Sequence, residues 1–176
     1  TEPEPDPNAE ITGITPVYII KAKGGSIDYN TGSTTKNVEY NTSIYEMSVT
    51  GHNSEPTIHS NGRWINLKSG YTYKLTCRLN RNDSQTASMG FVWLKGGSYG
   101  YGSGEFGVGG NISGYDNGAA RGSLHGNNME AVGIITMTSN DWVRVCMSTN
   151  NNSMSIYAGN ANYGDSYAMI EVIGKA

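Results

Sequence analysis

The residues best suited to recognition are four aromatic rings, Tyr99, Tyr101, Phe106 and Tyr115, set among glycines between positions 95 and 128. Rings on a loop offer an apolar face and a polar tip to a sugar or a protein surface. Asn117, Arg121 and His125 lie in the same stretch and carry the amide, guanidinium and imidazole groups that bond hydroxyls. The same rings would equally serve to pin the segment back onto a folded core, and the sequence leaves both readings open.

Covalent and metal chemistry find poorer material. Glycoside cleavage needs two carboxyl groups roughly 5 to 9.5 Å apart across a cleft, and Glu105 with Asp116 is the one loop pair that invites the comparison. Gly102-Ser103-Gly104 has the composition of a nucleophile elbow, but glycine-rich coil follows it where a helix is required. No Lys-Ser or Lys-Thr completes a phosphate loop. His52, His59 and His125 have no spacing that aims two rings at one ion, and Asp116-Asn117-Gly118 lacks the alternating oxygen ligands of a calcium loop. The expectation is a non-enzymatic binding module with no metal and no cofactor. Cys77 and Cys146 both fall in strand-like segments, so buried free thiols are expected, although a bridge between them stays open.

The elements that must position these groups are strands. With 24 glycines, 36% apolar residues and a formal charge of -3, the 176-residue chain has neither the charge excess nor the aromatic poverty of a disordered one. Its cations are scattered singly, which disfavours nucleic acid, and no run approaches the roughly 18 to 20 apolar residues of a spanning helix, which disfavours membrane insertion. Residues 1–13 open with Glu2-Pro3-Glu4-Pro5-Asp6-Pro7, an extended polyproline-type linker or stalk that reads as cut or processed from something longer. Residues 14–176 form one all-β domain carrying the glycine-rich insert 95–128.

Tyr71 to Leu79 alternates Tyr71, Tyr73, Leu75, Cys77 and Leu79 with Thr72, Lys74, Thr76 and Arg78, predicting a strand with one core face and one wet face. Shorter signals lie at Val17 to Lys21, Ser43 to Thr50, Arg63 to Leu67, Met89 to Leu94, Ala131 to Met137, Trp142 to Met147, Met154 to Ala158 and Tyr167 to Ile173, with a glycine-weakened strand around Phe106 to Ile112. Asn61-Gly62 and Ser69-Gly70 predict tight turns. Tyr167 to Ile173 is apolar almost throughout, interrupted by Glu171, so burial on both faces is expected. That makes Tyr167, Met169, Glu171 and Ile173 candidate contacts to another subunit. A central strand covered by a loop is the other reading.

Leu67-Lys68-Ser69-Gly70-Tyr71-Thr72-Tyr73-Lys74-Leu75 resembles the Gly-x-Tyr strand entry of the tumour-necrosis-factor-like and complement globular-head jelly rolls. Asp141-Trp142-Val143-Arg144-Val145 is similar to a later strand of that family, and Ser166 to Ile173 looks like its closing strand. The matches span roughly Ile58 to Ala176. The resemblance implies a jelly-roll β-sandwich of about ten antiparallel strands, assembled as a homotrimer with the closing strands near the threefold axis. Such domains occur at the tips of bacteriophage head and tail fibres, and the Asn, Gly, Ser and Thr-rich composition is closer to those than to the animal members, whose collagen-like repeat is missing here. The implied setting is a virion, with residues 1–13 meeting other virion proteins and the 95–128 insert meeting a host surface glycan or protein. A bacterial cell-surface lipoprotein or adhesin is the alternative setting, and a polysaccharide-active enzyme the third.

Overall fold

The computed structural model describes residues 15–22, 36–38, 40, 45–46, 52–60, 62–81, 89–96, 110–111, 118–120, 128–149, 156–157 and 166–176. Among them run thirteen strands: β1 (Val17–Lys21), β2 (Lys36–Asn37), β3 (Tyr45–Glu46), β4 (Thr57–Ile58), β5 (Ile65–Leu67), β6 (Tyr71–Arg81), β7 (Met89–Lys95), β8 (Gly110–Asn111), β9 (Gly118–Ala120), β10 (Asn128–Met137), β11 (Asp141–Thr149), β12 (Ile156–Tyr157) and β13 (Tyr167–Lys175). Each of the nine expected strands overlaps an observed one. The weak strand expected around Phe106 to Ile112 corresponds to β8, while β2, β4 and β9 are additional.

These strands form two antiparallel sheets. Sheet I has the order β10-β6-β13-β1-β3, with β12 pairing β6 where β13 has not yet begun. Sheet II has the order β4-β5-β11-β7-β8, with β2 against β11 and β9 against β7. Strand neighbours are therefore mostly distant in sequence, as in Greek-key sandwiches.

Period-two alternation generates the core between the sheets. From sheet I, Tyr18 and Ile20, then Tyr73, Leu75, Cys77 and Leu79, then Ala168, Ile170 and Val172 point inward and are buried. Ile65, Leu67, Trp93, Val143 and Val145 meet them from sheet II. Full burial of a large aliphatic side chain contributes roughly 1.5–3 kcal/mol, so this layer is the main source of stability. Two polar groups at its margins are paired. The Trp93 Nε1–H donates to the Ala131 carbonyl at 3.1 Å, and the Tyr73 hydroxyl donates to the Ser54 carbonyl at 3.1 Å.

The Ser69-Gly70 turn does more than reverse the chain: it carries it from β5 in sheet II to β6 in sheet I. The 138–140 connection makes the opposite crossing from β10 to β11. The two crossings are joined where the Ser69 N–H donates to Asn140 Oδ1 at 2.8 Å and the Ser69 hydroxyl donates to the Thr138 carbonyl. Gly70 holds φ at 90°, and its N–H and carbonyl bond Met137 and Ala176. Gly62 holds φ at 73° with a tighter constraint, since a Cβ there would lie 2.5 Å from the Tyr40 carbonyl oxygen that approaches it.

The wet face expected for β6 is only partly wet. Thr72, Lys74 and Arg78 are half-exposed, but Thr76 and Asn80 on that side are buried. Cys77 is a free, fully buried thiol beside the Tyr40 hydroxyl at 3.3 Å, which excludes the bridge to Cys146. Burial pushes its pKa up to about 12, against the lowering effect of the Tyr40 hydrogen bond.

Two outcomes follow for stability. Gly70→Ala should cost about 1–2 kcal/mol for its left-handed backbone, and Gly62→Ala should cost more than Gly70→Ala because a steric clash is added, as urea titrations of both variants will report. A thiol whose pKa is raised on folding contributes fully below its ordinary pKa and loses that contribution as pH rises toward about 12. Stability should therefore fall on the alkaline side with a slope that Cys77→Ala reduces, and peptide mapping should find Cys77 unalkylated in the native chain at pH about 8.

Candidate functional site

The side of sheet I turned away from the core is built from residues that antiparallel pairing places in rows across four strands. One row reads Ile134, Lys74, Glu171, Val17, from β10 through β6 and β13 to β1. The next reads Val132, Thr76, Met169, Ile19, and the third reads Glu130, Arg78, Tyr167, Lys21. At the opposite end, Thr72 and Thr136 face each other with their hydroxyls 2.9 Å apart. The face is thus apolar through its middle, charged along one border and hydroxylic along the other.

Two large apolar side chains among the described residues stand out as exposed, and both belong to sheet I. Ile134 on β10 is 43% exposed and Ile173 on β13 is 49% exposed. Ile173 sits where the β13 register shifts against β6, between Val172 and Gly174. A bulge of this kind adds a residue to one strand and re-aims its side chain.

A single ion pair interrupts the apolar rows. Lys74 Nζ lies 3.3 Å from Glu171 Oε2, without the alignment of a hydrogen bond, and that oxygen is itself enclosed. The lysine is 41% exposed and the glutamate 24%, so solvent screens much of the attraction.

Among the expected contact residues, Tyr167, Met169 and Glu171 share this outer face and Ile173 is exposed beside it. Within one chain β13 is not buried on both faces. Ala168, Ile170 and Val172 enter the core, whereas Tyr167, Met169 and Glu171 remain half-buried. Lys74, Val132, Ile134, Val17 and Ile19 complete the face and were not singled out from sequence; their signal was the second set of alternating positions in strands read for their core residues. Tyr99, Tyr101, Phe106, Tyr115, Asn117, Arg121 and His125, together with Glu105 and Asp116, lie outside the described residues.

The two described histidines are far from converging. His52 Nδ1 meets the Ser54 hydroxyl at 2.6 Å, and that hydroxyl also meets the Tyr18 hydroxyl at 2.9 Å, forming a chain into the core. His59 instead packs edge-on with Trp142. Among the described residues no three His, Cys, Asp or Glu side chains cluster in a way that could hold a metal ion.

No protein-family model matches the chain, and no curated protein matches it in sequence. Solved structures match it in fold. The structure of Eiger TNF from S. frugiperda superimposes with a TM-score of 0.56 at 10% identity, covering 92% of this chain and 94% of that one. Murine APRIL at pH 5.0 gives 0.57 at 11% identity over 91% and 100%, and murine APRIL at pH 8.0 gives 0.54 at 13% over 90% and 98%. The fold is a tumour-necrosis-factor-like jelly roll. Identities this low speak to architecture alone. Within the jelly roll, sheet I contains both the first and the last described strands.

The ion pair on sheet I should be dispensable for the isolated chain. Lys74→Met alone should lower stability by about 1 kcal/mol by leaving an enclosed carboxylate unopposed, and adding Glu171→Leu should restore it, as equilibrium unfolding of the single and double variants will report.

Proposed function

We propose that this chain is a non-enzymatic assembly and attachment module whose copies associate through the outer face of sheet I. The observation that carries the reading is the placement of Ile134 and Ile173 on one sheet, around half-buried Met169, Ile19 and Val132. Exposed apolar side chains gathered on one face, rather than scattered singly, mark an interaction surface. The mixed charges bordering that face, Glu130, Arg78 and Lys21, give a second copy both signs to meet.

The number of copies and the setting rest on the resemblance read in the sequence. We take the assembly to be a homotrimer forming the distal domain of a bacteriophage head or tail fibre, with residues 1–13 leading to other virion proteins and the 95–128 segment turned toward a host glycan or protein.

Light scattering on the full chain tests the assembly. The expected mass is three times 18.9 kDa at micromolar concentration, and Ile134→Asp combined with Ile173→Asp should reduce it to 18.9 kDa without unfolding the chain. A wild-type monomer would remove the proposal.

A further inference from the structure

The outer face of sheet I differs from one end of its strands to the other. At one end the Thr72 and Thr136 hydroxyls meet, with exposed Ile173 beside them where β13 shifts against β6. Next along the strands comes the level of Ile134, Lys74, Glu171 and Val17, and then the uncharged level of Val132, Thr76, Met169 and Ile19. The far end is the level of Glu130, Arg78, Tyr167 and Lys21. Successive levels are two residues apart, roughly 6.5 Å along a strand.

That gradient limits how a second copy can meet the face. A symmetry axis running along the strands keeps each residue at its own height, so charged levels meet charged levels and apolar levels meet apolar ones. An axis across the strands reverses one copy. Placed at the centre of the face, it sets the Glu130 and Arg78 end against Ile173, and the Lys74 and Glu171 level against Met169 and Ile19. Charges would then lose water opposite groups that cannot replace it. Placed at the Lys74 level instead, it sets Lys74 against Lys74 and Glu171 against Glu171.

The ion pair itself has capacity for a further partner. Lys74 Nζ approaches Glu171 Oε2 at 3.3 Å without the alignment of a hydrogen bond, and that oxygen has no hydrogen bond among the described residues. An ammonium carries three donors and a carboxylate about four acceptor sites, so neither group saturates the other. We propose that the copies stand with their sheet I strands parallel about an axis along those strands, and that Glu171 of each takes Lys74 of the next, closing a ring of alternating charges. This rests on the assembly proposed above and adds its direction and its polar contact. It also orders the ends of the chain. The Val172 N–H donates to the Pro16 carbonyl, so every copy enters β1 from the Ile173 end of the assembly and turns the Glu130 end away from it.

Charge exchange between copies is the test. Lys74→Glu and Glu171→Lys should each leave a folded chain, with melting as the control. Each should raise the concentration of half-assembly at least about tenfold by light scattering, since like charges brought together across an interface are strongly disfavoured. Mixed in equal amounts, with a mass tag on one, the two variants should co-assemble in native mass spectrometry, because each supplies the sign the other has lost. Glu130→Lys makes the same change of charge on the same face two levels away and should not rescue Lys74→Glu. A chain carrying both substitutions, Lys74→Glu with Glu171→Lys, should assemble as the wild type does. Zero-length carbodiimide cross-linking of wild-type copies, half of them isotopically heavy, needs no variant and should join Lys74 of one isotope to Glu171 of the other. Equal rescue by Glu130→Lys, no rescue by Glu171→Lys, or cross-links within single copies only would overturn the contact in a chain that still assembles. A wild-type monomer would overturn the assembly and this contact together.

Discussion

Antiparallel pairing of the last strand between β6 and β1 is the contact on which the rest of the molecule depends. β13 bonds β1 over Val17 to Lys21 on one side and β6 over Tyr71 to Arg78 on the other. Without it, β1 would retain, among the described residues of sheet I, only the two-residue pairing with β3, too little to hold a strand in water. Three core side chains, Ala168, Ile170 and Val172, arrive with the same strand. Closing a loop of this length costs chain entropy before any contact returns it, and the return comes all at once, as ladder and core together.

That arrangement also sets what the outer surfaces can do. A strand bonded on both edges and packed on one face has only its second face left for contacts with other molecules. In sheet I that face carries Met169 and Tyr167 beside Ile19 and Val132, with the Lys74 and Glu171 pair among them. An ion pair in an apolar field adds little stability; its better-attested contribution in such settings is to fix which arrangement of partners is accepted. The outer side of sheet II differs: Arg144 and Trp64 stack there and are fully buried.

Much of the fold was legible from local pattern. Tyr71 to Leu79 alternates so regularly that its residue types alone assign one face to the core, and Gly62 and Gly70 marked the turns. The strands β2, β4 and β9 were not legible, because two or three residues carry no periodicity of their own and are held by neighbours distant in sequence. The buried state of Thr76 and Asn80 was hidden for the same reason: what encloses a side chain is contributed by other strands. Tyr167 to Ile173 is a different case. Its near-continuous apolar run signalled two buried faces, yet one chain buries only one of them, and the excess hydrophobicity is what directs attention to a second copy. Lys74 and Ile134 became visible as part of that face only once register set them beside Glu171.

The central claim is that the outer face of sheet I is an interface between copies of this chain, and an experimental structure of the assembled protein in solution, by electron cryomicroscopy, tests it most directly. The account predicts Ile134, Met169 and Ile19 packed against neighbouring copies. Copies joined elsewhere, with those three side chains facing solvent, would contradict it.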